Sequence, residues 1–149
     1  MIVFAIDPGP EQSAYLKWDG ELIRYKGIAP NEALLRDLHL ISADVLVIEQ
    51  IKSYGMPVSD SVFDTVYWTG RFAQVWEPKT ADCALIPRLT VKMHICHDSR
   101  AKDSNIRQAL ISRFGPPGTK KNPGLTYGLK ADMWAAFALA VYYHDTHAK

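Results

Sequence analysis

The chain has 149 residues, of which 48% are hydrophobic, and a formal net charge of +1. That length suits one domain with a proper core, in the compositional range of ordinary soluble globular proteins. No apolar run approaches the ~20 residues that cross a bilayer, and Asp7 interrupts the N-terminal apolar run too early for a secretory signal. A cytoplasmic protein with reduced Cys83 and Cys96 and no membrane partner is the expectation.

In chain order, residues 2–7 read as a buried strand, broken by Gly9 and Pro10. Residues 13–18 and 21–26 read as two antiparallel strands joined at Asp19-Gly20, a hairpin turn pair. Residues 30–40 carry helical spacing through Ala33, Leu34, Asp37 and Leu38, with Asn31 as the candidate cap. The nearly unbroken apolar run 43–49 reads as a strand covered on both faces. Residues 52–59 form a loop. A helix follows, with Ser59 or Asp60 as cap and with Val62, Phe63, Val66, Tyr67, Phe72 and Val75 as its apolar face, ended by Pro78.

Residues 81–86 read as a short outer strand, 90–96 as a short helix, and 103–114 as a further helix with Ile106, Ala109, Leu110 and Ile111 inward. Residues 115–129 hold four glycines, three prolines and two lysines and read as a flexible basic loop. The last helix is expected over about 130–144. The whole, 1–149, reads as a single domain: an α/β fold with a mixed five-stranded sheet, three antiparallel strands followed by parallel ones, flanked by helices.

Three acids stand in apolar settings. Asp7 ends the first strand, Glu49 ends the central one, and Asp132 opens the apolar C-terminal helix. A carboxylate at the end of a buried strand carries a desolvation cost unless it is paired or metal-bound. Three that converge suit a hard cation such as Mg²⁺, which takes a few carboxylate oxygens and keeps its other positions for water and phosphate. Each acid also has a plainer reading: Asp7-Pro8-Gly9 as a turn, Glu49 as a cap or ion-pair partner, Asp132 as a first-turn acid favoured by the helix dipole.

Charge is uneven along the chain. Arg88, Lys92, Arg100, Lys102, Arg107, Arg113, Lys120, Lys121 and Lys130 face only Asp98 and Asp103 over residues 88–130, which leaves the remainder net acidic. Such a basic stretch fits a polyanion partner or a solvated helix surface equally well. His94, Cys96 and His97 lack the two separated ligand pairs of a structural zinc site.

The ordered set Ile6-Asp7-Pro8-Gly9, Val47-Ile48-Glu49-Gln50, Thr69-Gly70-Arg71, Val91-Lys92, Arg100-Ala101-Lys102 and Ala131-Asp132 resembles a RuvC-type Holliday junction resolvase of the shorter, phage-like kind. The match spans nearly the whole chain. The resemblance implies a ribonuclease-H-like fold. It also implies a homodimeric endonuclease of bacterial or phage-infected cells, nicking opposed strands of four-way DNA junctions for recombination and repair. Asp7, Glu49 and Asp132 would be the catalytic metal ligands for two Mg²⁺ ions, with Mn²⁺ as a substitute. The nicks would carry 5′-phosphate and 3′-hydroxyl ends.

Lys92 and Lys102 match basic positions of the family pattern and are the first choices for phosphate contacts, followed by Arg100. Lys52 and Tyr54 lie in the loop after Glu49, where Tyr54 would stack on unpaired bases, and Lys130 adjoins Asp132. One position departs from the pattern. These nucleases carry a fourth ligand about one turn from the last aspartate, and here Leu129 or Ala135 stands at that spacing. Two other readings therefore stay open: a nuclease-dead junction-binding protein, and a ribonuclease-H-type nuclease acting on branched DNA or RNA–DNA hybrids. The helix over 59–76, with Val62, Tyr67, Trp68 and Trp76, is the expected dimer surface.

Overall fold

A computed structural model describes all residues, 1–149. A mixed five-stranded sheet runs in the order β3-β2-β1-β4-β5. Strands β1 (Val3–Asp7), β2 (Gln12–Trp18) and β3 (Ile23–Pro30) pair antiparallel, and β4 (Val45–Gln50) and β5 (Asp82–Pro87) add in parallel beyond β1. The helices are α1 (Asn31–Leu38), α2 (Asp60–Trp76), α3 (Arg88–Cys96), α4 (Asp103–Phe114) and α5 (Met133–His147). None is long and apolar enough to cross a membrane.

Strand alternation divides the core in two. Val3, Ala5, Val45, Val47, Ala14, Leu16 and Trp18 pack on one face against α5 and residues of α3 and α4. Phe4, Ile6, Leu46 and Ile48 pack on the other against Leu34 and Leu38 of α1 and Phe72 and Trp76 of α2. Helix α5 lies over the sheet centre with nine residues buried, from Met133 to Tyr143, which explains why its sequence is apolar all round rather than on one stripe.

Several expectations shift. The hairpin is longer than a two-residue turn because the Asp19 carboxylate accepts from the backbone of Glu21 and Leu22 and pairs with Arg24; β3 thus begins at Ile23. These bonds hold the Asp19 carboxyl down at about 2. Helix α5 starts three residues later than expected, so Asp132 is its N-cap residue, without a side-chain capping bond.

The inward face of α2 is Thr65, Thr69, Phe72 and Trp76. Phe63, Val66 and Tyr67, expected to be inward, are more than half exposed or nearly so, at 63%, 50% and 61%. Two threonines tolerate burial because Thr65 and Thr69 donate to the carbonyls of Ser61 and Thr65, both at 2.9 Å. Trp76, expected on a dimer surface, is fully buried and its indole N–H donates to the Asp82 carbonyl at 2.9 Å. Asn31 begins α1 but does not cap it.

Residues 115–129, read from sequence as flexible, carry a series of turns. An isolated bridge joins Gly118 to Pro123, Lys26 donates to the Tyr127 carbonyl, and Thr126 is fully buried.

Candidate active site

The parallel register sets Ile6 beside Ile48, so Asp7 and Glu49 follow at neighbouring strand ends. Both share the parity of Val3, Ala5, Val45 and Val47, whose side chains face α5. Period-two alternation therefore aims both acids at the helix layer, where the N-terminus of α5 brings Asp132. All three line one open cleft of about 850 Å³.

Two sequence features hold the first acid in place. Gly9 packs so closely on the Gln12 carbonyl that a side chain there would collide with it. Its N–H donates to Ser13 Oγ at 3.1 Å and its carbonyl accepts from Asn31 Nδ2 at 2.8 Å, while Ser13 Oγ donates to Asn31 Oδ1 at 2.5 Å. Ser13 and Asn31 are buried. The Asn31 side chain thus fastens the loop after Asp7 instead of capping α1. This pairing of distant polar residues leaves no local pattern in the sequence.

Asp7 is only 9% exposed. Burial and the negative charge of Glu49 push its carboxyl well above the ordinary aspartate value, and Asp132 adds to the rise, while Arg88 opposes it. Glu49 is paired: Arg88 Nε donates to its Oε1 at 2.9 Å and Nη2 lies 3.5 Å from its Oε2. The same guanidinium reaches Asp103 Oδ1 through Nη1 at 3.1 Å. Arg88 is one of the nine basic residues of the 88–130 stretch and is not among the phosphate contacts expected from sequence. The findable signal was its position immediately after Pro87, at the same sheet edge as Asp7 and Glu49.

Lys52, Tyr54 and Lys92 also line the cleft. Arg100, Lys102 and Lys130 are exposed and stand outside its lining. Lys102 is the N-cap residue of α4, its N–H bonded to Asn105 Oδ1 at 2.8 Å. Neither spacing for a fourth ligand is filled: Leu129 is buried and Ala135 is apolar. His94 meets Asp145 at 2.8 Å.

The donor set suits a hard dication in its chemistry: three carboxylates, one of them buried against like charge, form a deficit of positive charge. As they lie, however, no three His, Cys, Asp or Glu side chains stand close enough together to hold an ion. The acids share a cleft, and Glu49 is engaged with Arg88.

No protein-family model matches the chain, and no curated sequence does. Solved structures do. Thermus thermophilus RuvC is 14% identical with a TM-score of 0.70, covering 98% of this chain and 96% of that one. Thermus thermophilus RuvC in complex with a Holliday junction substrate is 11% identical with a TM-score of 0.75, covering 96% and 92%. Fowlpox virus resolvase in complex with Holliday junction DNA is 18% identical with a TM-score of 0.56, covering 97% and 99%. With this sheet order and these flanking helices, the chain has the ribonuclease-H-like fold of RuvC-type resolvases.

Proposed function

We propose that the protein is a metal-dependent endonuclease that resolves four-way DNA junctions, acting as a homodimer in the cytoplasm. The observation that carries this reading is the convergence of Asp7, Glu49 and Asp132 on one cleft, at the sheet edge where β1 and β4 end, in a chain with the resolvase fold. Asp7, Glu49 and Asp132 would hold Mg²⁺, two ions in the full site, with Mn²⁺ as a substitute. Bound divalent metal supplies the Lewis acidity for hydrolysing a phosphodiester.

The chain's own residues supply the rest. Burial and the like charges of Glu49 and Asp132 disfavour the Asp7 carboxylate, so added positive charge in the cleft favours it and metal loading is linked to this group. Lys52 and Lys92 bring ammonium groups to the same cleft as DNA phosphate contacts, with Lys102, Arg100 and Lys130 extending the basic surface outward. Tyr54, 64% exposed with φ of 49° in the left-handed region, presents its ring in the loop after Glu49, where it can stack on an unpaired base. Phe63, Val66 and Tyr67 form an exposed apolar stripe on α2 that suits a two-fold partner.

A second reading, a junction-binding protein without nuclease activity, is favoured by the unfilled fourth ligand position and by the Arg88–Glu49 pair. One experiment separates the readings. A labelled four-way junction, a linear duplex and an RNA–DNA hybrid are each incubated with the protein in Mg²⁺, Mn²⁺ and Ca²⁺. Paired, symmetric nicks confined to the junction in Mg²⁺ or Mn²⁺ support resolution. Junction binding in Ca²⁺ without incision in either active metal supports the second reading, and preferential cleavage of the hybrid defeats both. Lys102→Ala should weaken binding to all DNA and lower the salt slope by roughly one; an unchanged slope would remove Lys102 from the phosphate contacts.

A further inference from the structure

We propose that Arg88 is a positioning residue that occupies Glu49 as an internal counter-cation, competing with divalent metal for that carboxylate and moving onto Asp103 when metal takes it. The inference rests on the metal-site reading above, and it concerns a residue outside the three acids.

The geometry points to competition rather than to a simple surface pair. Arg88 opens α3 directly after Pro87, which pairs with Gln50 in the parallel register. Its guanidinium thus starts beside Glu49 and approaches both carboxylate oxygens, Nε at 2.9 Å and Nη2 at 3.5 Å. A metal ion held by Glu49 needs at least one of those oxygens. An arginine cannot yield by losing its proton, because it stays charged at any pH a protein experiences. It yields only by moving away.

A place to move is already engaged. Nη1 bonds Asp103 Oδ1 at 3.1 Å, on the first residue of α4. The Asp103 side chain is 74% exposed, and that of Glu49 only 13%. One guanidinium therefore spans a partly buried acid that metal would claim and a solvated acid that it would not. In the metal-free protein the bridge offsets the repulsion among Asp7, Glu49 and Asp132. After exchange, Asp103 keeps the guanidinium at the cleft wall, where its free N–H groups suit a phosphate oxygen.

The test titrates Mn²⁺ alone into DNA-free protein by calorimetry. Arg88→Ala should bind Mn²⁺ roughly two- to fivefold more tightly than wild type, the range expected for freeing a carboxylate from a partly exposed ion pair. Arg88→Lys keeps the charge but not the two-point grip, and should fall between the two. Asp103→Asn leaves the guanidinium wholly to Glu49 and should weaken Mn²⁺ binding. In the Arg88→Ala background the same Asp103 change should have little effect, which separates coupling through Arg88 from a general loss of negative charge.

Unchanged or weaker Mn²⁺ binding in Arg88→Ala overturns the inference, as does an Asp103→Asn effect that persists without Arg88. If Arg88→Ala fails to fold, Arg88→Lys decides: tighter binding supports competition and wild-type binding defeats it. The two layers fail differently. Wild-type protein that binds no Mn²⁺, or binds it equally after Asp7→Asn, removes the metal site and the inference with it. Wild-type binding that Asp7→Asn abolishes, with Arg88→Ala unaltered, removes the inference alone.

Discussion

The two ends of α5 each carry an aspartate, and the two are treated oppositely. Near the C-terminal end, Asp145 takes a two-point grip from Arg113, at 2.5 and 2.7 Å, and meets His94 Nε2 at 2.8 Å, so that three helices are tied together. At the N-terminal end, Asp132 makes no capping bond and no ion pair, faces the cleft, and adds its charge to that of Glu49 in raising the Asp7 carboxyl. An acid whose partners are all supplied by the protein serves the fold. An acid placed among like charges with no partner costs stability and makes sense only if something from outside completes it.

The largest effect expected from this contrast is on incision. Asp132→Asn should reduce junction cleavage by about 10³-fold or more, in line with loss of electrostatic stabilisation at a reacting phosphate, while the protein melts no lower than wild type. Asp7→Asn and Glu49→Gln should do the same to cleavage, and Asp7→Asn should raise the melting temperature of the metal-free protein because a buried charge is removed. Junction binding should survive all three changes. Wild-type cleavage rates in any one of these variants would take that residue out of the site.

Asp145→Asn should show the converse: cleavage retained at permissive temperature, and stability lowered by about 1–3 kcal/mol for a charge-assisted cluster that loses its anion, seen as a drop of roughly 2–4 °C per kcal/mol. The pH dependence follows from the Arg113 hydrogen bond, which with His94 holds the Asp145 carboxyl below the ordinary aspartate value despite partial burial. A carboxyl lowered in the folded state contributes fully above its unfolded pKa, and that contribution is lost as pH falls through the folded value. Urea unfolding should therefore show an acid-side decline below the usual aspartate range that is smaller in Asp145→Asn. Equal declines in both proteins would mean that the cluster is not anchoring α5.

Both aspartates look alike in sequence, and this marks how far the chain could be read. The strand acids were legible because period-two alternation carries from Val3 and Val45 to Asp7 and Glu49, and the ordered motifs carried the topology. Helix α2 was misread because its buried stripe includes two threonines, whose hydroxyls are satisfied by the preceding turn, while Phe63, Val66 and Tyr67 are left outside. Hydropathy alone assigns those positions the other way round. Asn31 acts across 22 residues of sequence on Gly9, which no local pattern reports, and Arg88 acts across 39 on Glu49, signalled only by its place directly after the strand that ends at Pro87.

The smallest effect sits beside Asp132. Ala131 has φ of 48°, a left-handed conformation that costs an alanine roughly 1 kcal/mol. The turn is held because Met133 and Trp134 donate to the carbonyls of Lys130 and Ala131, at 3.1 and 3.3 Å, which starts α5 and fixes where Asp132 leaves the chain. Ala131→Gly removes the steric cost at the same backbone angle but frees the unfolded chain, so the net gain should be only about 0.5 kcal/mol. If strain merely accompanies the turn, cleavage should stay at wild-type rates as stability rises slightly. A fall in cleavage with unchanged folding would show that the methyl group helps aim Asp132, and it would extend the contrast between the two ends of α5 from side-chain partners to the backbone.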